Sequence, residues 1–101
     1  MPQYPMTPVV ASRDYILLKG AHPVEIRAEI GTPTPHPDGR DWYCPFVVRG
    51  AINRVASADG VDALQALLLA LSAVDALLQH HARDGTLSYC EGVPGTGISI
   101  V

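Results

Sequence analysis

Two cysteines, four histidines and a scatter of carboxylates are the residues of this 101-residue chain that could do chemistry. Their spacing decides against most of it. His80 and His81 are adjacent, so on a helix they point about 100° apart and do not easily share one ion. Cys90, Glu91, His22 or His36 could complete a site only if folding gathered them, and no metal is expected. Nucleophilic catalysis would need Cys44 or Cys90 beside a histidine with a third group to orient it. Cys44 stands between Trp42 and Phe46 on one side of a strand, an apolar setting that raises a thiol pKa. Glu25 and Glu29 share a strand face but lie about 13 Å apart along it, too far for a carboxylate pair.

The sequence also lacks GxGxxG, GxxxxGK[ST], CxxC, HExxH and GxSxG. The glycine-rich run 92–97, GVPGTG, follows the only helical segment and precedes no second one, so it does not read as a phosphate loop. No catalytic residue and no cofactor emerge. In a reducing compartment, two cysteines so far apart are most simply free thiols.

One loop could still build a pocket. Residues 32–41, TPTPHPDGRD, carry three alternating prolines that stiffen the chain toward polyproline II, then a turn at Pro37-Asp38-Gly39. Such a loop can present His36, Arg40 and Asp41 beside Trp42 to a small molecule. The plainer reading is a stiff connection between two strands.

The element that must position all of this is a helix over residues 59–83. Asp59 is the expected N-cap with Asp62 at N3, and Gly85 sets the end at Arg83 or Asp84. At 1.5 Å per residue it would be roughly 36 Å long, enough to cross a domain of this size. Leu64, Leu67, Leu68, Leu71, Val74 and Leu78 form a broad apolar arc suited to lying on a sheet. Asp75 falls inside that arc and must pair, shift its pKa or reach an edge. Gln65 borders the arc, where its amide could satisfy backbone groups at the end of the preceding strand. The opposite face, with Ala66, Leu69, Ala73 and Ala76, is small and apolar rather than charged, which suits burial against a second subunit or the C-terminal tail. Gln65, Ser72, Asp75 and Gln79 interrupt the run too often for a membrane span.

Around the helix the strands are short. Residues 1–8, with three prolines, read as a flexible lead-in. Residues 15–18 form a strand candidate. Val24, Ile26, Ala28 and Ile30 then alternate cleanly with Glu25, Arg27 and Glu29, as on a strand with one wet face. Residues 42–49 form a third strand, placed at an edge or bulged by Pro45. Residues 54–57 form a fourth, and 87–90 a fifth. The expected fold is α+β, an antiparallel sheet of four or five strands packed on one long helix, with residues 9–101 as a single domain. In the tail, 92–101, Ile98 and Ile100 alternate with polar neighbours and can add an edge strand, here or in a partner.

Composition narrows the partners. A net charge of −3 leaves no basic footprint, so nucleic acid is not expected. The first residues lack a basic region followed by an apolar run, and a cytoplasmic location is the default expectation.

Several segments together carry a resemblance: Ser12-Arg13, Ile30-Gly31-Thr32-Pro33, Trp42-Tyr43-Cys44-Pro45-Phe46, Gly50, and Gly60-Val61-Asp62-Ala63-Leu64-Gln65-Ala66-Leu67. The chain resembles a family of small bacterial proteins of about 100 residues, a domain of unknown function, over residues 9–97. The resemblance implies a bacterial α+β domain and transfers no catalytic or binding residue.

Two functional readings follow. The first is a non-enzymatic domain acting by protein contact, a homo-oligomer or a subunit, through Leu69, Ala73 and Ala76 or through Ile98 and Ile100. The second is a small-molecule binder or enzyme with a pocket at His36, Arg40, Asp41 and Trp42.

Overall fold

The computed structural model describes residues 5–90 and 92–98. Among them are seven strands and one helix: β1 Val9–Lys19, β2 His22–Gly31, β3 Thr34–Pro35, β4 Trp42–Arg49, β5 Ile52–Gly60, α1 Ala63–His81, β6 Thr86–Tyr89 and β7 Val93–Pro94. The strands form one antiparallel sheet in the order β3-β4-β2-β1-β6-β7, with β5 along the other side of β4. The α+β expectation stands, but four or five strands is too few. The extra two, β3 and β7, are two-residue pairings in the proline-bearing segments that read as irregular, and both contain a proline. β1 is also longer than the 15–18 segment, because β2 supplies it with partners from Lys19↔His22 back to Val9↔Gly31.

Period-two alternation sorts the sheet into two faces. Tyr15 and Leu17 on β1, Ile26, Ala28 and Ile30 on β2, and Cys44, Phe46 and Val48 on β4 join α1 in one core. Charged residues occupy the other face, where Glu29 accepts from Arg49 at 2.6 Å and Arg27 from β2 reaches Asp14 at 2.8 Å. Tyr43, Pro45 and Val47 of β4 are buried as well, although they alternate with the core residues. Residues from the N-terminal segment reach this region. Thr7 Oγ1 donates to Thr32 O at 2.8 Å, and Thr32 N donates to Pro8 O at 2.9 Å.

Pro45 sits in the interior of the sheet, neither at an edge nor in the bulge, which lies between Phe46 and Val48. The β2–β4 pairing ends at Ile30↔Phe46 and the β3–β4 pairing begins at Thr34↔Tyr43. The residue without an N–H therefore lies abreast of the gap between two ladders, where no strand bond is demanded of it on that side. Gly31 bends the chain through this gap, and a Cβ there would meet Thr7 Oγ1 and Pro45 Cγ.

The helix differs from expectation at both ends. The β4–β5 ladder continues through Tyr43↔Asp59 and Trp42↔Gly60, so Asp59 belongs to a strand and the N-cap passes to Asp62. Asp62 Oδ1 accepts from Gln65 N at 2.8 Å, and Gln65 Oε1 accepts from Val61 N at 2.7 Å. Asp-x-x-Gln thus works as a variant of the capping box, its second arm reaching one residue further back. At the other end Ala82 is the C-cap, and Arg83 N turns to His80 O in a tightened last turn, short of Arg83 or Asp84. Nineteen residues give about 28 Å, against a longest dimension of 48 Å, so the helix does not cross the whole molecule.

The helix is also rotated about its axis relative to the leucine arc. Its buried positions are Ala66, Ala70, Val74 and Leu78, while Leu64 is 64% exposed and Leu68 40%. The cause is close packing at Gly60, whose missing Cβ would strike the Ala66 backbone nitrogen. An alanine face admits the backbone of β5 and the large side chains of β1 and β4. A leucine face would hold the helix further off.

Candidate functional site

The residues predicted around the proline-rich loop are placed apart in role. His36 is buried against Tyr43, with ring centroids 5.2 Å apart, and its Nε2 lies 3.1 Å from Asp59 Oδ1. Trp42 is half-buried and packs on the core. Arg40 and Asp41 are exposed, and Arg40 N donates to Asp38 Oδ1 within the turn. Four of the better-formed clefts among the described residues take their linings from outside 32–42.

The residues predicted at an interface divide as well. Leu69 and Ala76 are exposed on α1, whereas Ala73 and Ile98 pack against the core. Ile100 lies outside the described residues. With Leu64 and Leu68, the exposed face of α1 is uncharged and leucine-rich in its first half, with Gln65, Ser72, Gln79 and His80 as its polar members. Val61, just before the helix, is exposed too. Between Ala63 and His81 the only formally charged side chain besides the two histidines is Asp75.

Asp75 is half-buried at the margin of that face, and it pairs with the tail. Its Oδ1 accepts from Thr96 Oγ1 at 2.5 Å and its Oδ2 accepts from Gln79 Nε2 at 3.0 Å. The carbonyl of the same Thr96 accepts from Tyr15 Oη at 2.5 Å and from Arg13 Nη1 at 3.3 Å, and Gly97 O accepts from Arg13 Nη1 at 3.1 Å. Arg13 also lies over the Tyr89 ring, 4.5 Å from its centroid. Burial pushes the Tyr15 phenol above its ordinary value, partly offset by the nearby Arg13 guanidinium.

Beside this knot a cleft of about 300 Å³ opens between α1 and the paired ends of β1 and β2. Ala28, Ile30, Leu71, Val74 and Ile98 line it, with Arg13 and Tyr15 contributing the polar edge. Sequence reading missed Arg13, Tyr15 and Thr96 as a group. Arg13 and Tyr15 share a strand face and could have been paired from the alternation. Nothing local points to Thr96, more than 80 residues away.

Little else is reactive. The Cys44 thiol is pushed up by burial and donates to Gly31 O at 3.3 Å, while Cys90 is an exposed free thiol. Among the described residues no three His, Cys, Asp or Glu side chains gather in a way that could hold a metal ion. By length and composition alone α1 could cross a membrane, and the positions that are buried, Ala66, Ala70, Val74 and Leu78, lie against the sheet.

These features define a small α+β domain: a helix laid on an antiparallel sheet, with a tail tied across one end. Residues 11–100 match the domain of unknown function DUF6968, and the chain belongs to that family. Comparison with the curated proteins gave no match. Comparison with the solved structures gave none either.

Proposed function

We propose that this protein is a non-enzymatic, self-associating domain whose contact surface is the outer face of α1. The observation that carries this reading is the exposure of Leu64, Leu68 and Leu69, at 64%, 40% and 46%, on a helix with no Lys, Arg or Glu. Solvated helix faces ordinarily carry charge, and contiguous apolar surface on a small protein marks a contact. A second copy fits this face because two uncharged apolar surfaces meet without stranding a charge in the interface. One helix about 28 Å long supplies less than the ~800 Å² per partner of a standard interface, so the association belongs to the weak, concentration-dependent class. A cytoplasmic protein of bacterial origin is consistent with this reading.

Light scattering over a concentration series tests it on the full chain. The mass should climb from the 10.8 kDa monomer toward a dimer, and Leu68→Glu should hold it at the monomer while the circular dichroism spectrum is unchanged. A chain that stays monomeric at the highest soluble concentration overturns self-association. Assembly that survives Leu68→Glu and Leu64→Glu together removes it from this face.

A further inference from the structure

We propose that the cleft between α1 and the start of the β1–β2 hairpin binds a small amphipathic carboxylic acid, with Arg13 as the anchor for its carboxylate. This site adjoins the margin of the contact face, since Leu71 follows Leu68 by one turn on the same side of the helix, and its test reads ligand binding separately from assembly.

The cleft's walls set the ligand's body. Ala28, Ile30, Leu71 and Val74 offer apolar surface, and 300 Å³ lies at the small end of ligand sites. That volume equals the liquid share of about ten water molecules, so it suits a ligand of about ten non-hydrogen atoms.

The cleft's edge sets the ligand's head. Among the described residues Arg13 has no carboxylate partner, in contrast to Arg27 and Arg49, which pair with Asp14 and Glu29. Its guanidinium is held over Tyr89 and donates to two backbone carbonyls, Thr96 O and Gly97 O. Neutral carbonyls are weaker acceptors for a guanidinium than a carboxylate, which forms shorter, charge-assisted bonds and can accept two at once. An incoming acid therefore exchanges weak bonds for strong ones at a cation that is already positioned. Asp75 is the charge that would oppose it. Both of its oxygens already accept, from Thr96 Oγ1 and Gln79 Nε2, and it grips Thr96 by the hydroxyl whereas Arg13 and Tyr15 grip the carbonyl.

Residues 96–98 thus act as a strap: Gly97 and Ile98 close one side of the cleft, and their bonds to Arg13 give way when the ligand's head arrives. Sodium octanoate, with eight carbons and two oxygens, is the probe, and octan-1-ol is its uncharged counterpart. Titrating each into the ¹⁵N-labelled full chain should give saturable amide shifts at Leu71, Val74 and Gly97 with octanoate. Octanol should bind about tenfold or more weakly, reflecting the lost charge-assisted bonds. Arg13→Gln should weaken octanoate by a similar factor and leave octanol unchanged, and Arg13→Lys should recover part of the loss. Equal affinities for acid and alcohol, or an Arg13→Gln protein that binds octanoate as the parent does, would overturn the assignment. So would the absence of saturable shifts at millimolar octanoate.

Discussion

Gly60 and Ala66 are packed so closely that any side chain on Gly60 would run into the Ala66 backbone. This contact joins the end of β5 to the first turn of α1 and fixes which face of the helix meets the sheet. Gly60 is buried and its backbone is not in the left-handed region, so the glycine is required by space rather than by conformation. Gly60→Ala should destabilise the protein by about 1–3 kcal/mol, the usual size of an overpacking cost. Chemical denaturation checks it, and an unchanged midpoint would mean that the helix can lift away freely.

The cap makes a second prediction. Asp62→Ala should cost about 1 kcal/mol, because the Gln65 N–H loses its acceptor at the helix start. Asp59→Ala should leave helix content unchanged, since Asp59 lies in β5 and faces His36. Far-ultraviolet circular dichroism with denaturant titration separates the two.

Acid should expose the role of Glu29. Its carboxyl is held below the ordinary value, first by the hydrogen bond from Arg49, against a smaller opposing effect of desolvation. A depressed carboxylate contributes stability that is complete above the unfolded value of about 4.3 and is lost as pH falls through the folded one. Arg27 and Arg49 stand directly opposite in register, so removing Glu29 also leaves two like charges facing each other. Glu29→Gln should be less stable than the parent at neutral pH. The gap should begin to narrow as pH falls through about 4.3 and close only below the folded carboxyl's lower value, where the parent is protonated too. A gap independent of pH would show that packing, not charge, is what Glu29 supplies.

The thiols should react in two classes. Cys90 is exposed, while Cys44 is buried with its pKa pushed up, so its thiolate is scarce at neutral pH. An aromatic disulfide reagent should titrate one thiol in the folded protein and a second only on unfolding. Prompt reaction of both would contradict the packing of β4.

Much of this fold was legible because period and chemistry agreed. Val24, Ile26, Ala28 and Ile30 alternate so regularly that β2 and its buried face could be read directly. The helix was legible as a helix, but its rotation was not, because leucine and alanine are both apolar and pattern alone does not rank them. Depth of packing decided for alanine through Gly60. Asp75 was visible as a carboxylate needing a partner. The partner, Thr96, sits in the glycine-rich run 92–97, ahead of the apolar alternation at Ile98, so the knot at Arg13 and Tyr15 existed only after folding. The short strands β3 and β7 hid behind their prolines, where local preference argues against pairing and the sheet supplies it anyway.

The pairing of β1 with β6 imposes an order of events. β1 and β2 meet through a tight turn, as do β4 and β5, and both hairpins can form from local encounters. Ile16 cannot meet Ser88, nor Arg13 meet Gly97, until more than seventy intervening residues exist and have largely folded. Closing such long loops is slow, which places this domain with proteins that fold in milliseconds to seconds rather than microseconds. During synthesis, then, the side of β1 that will take β6 waits as an open edge, able to pair with other chains. Sealing that edge and tying the tail require the longest loop closures in the fold.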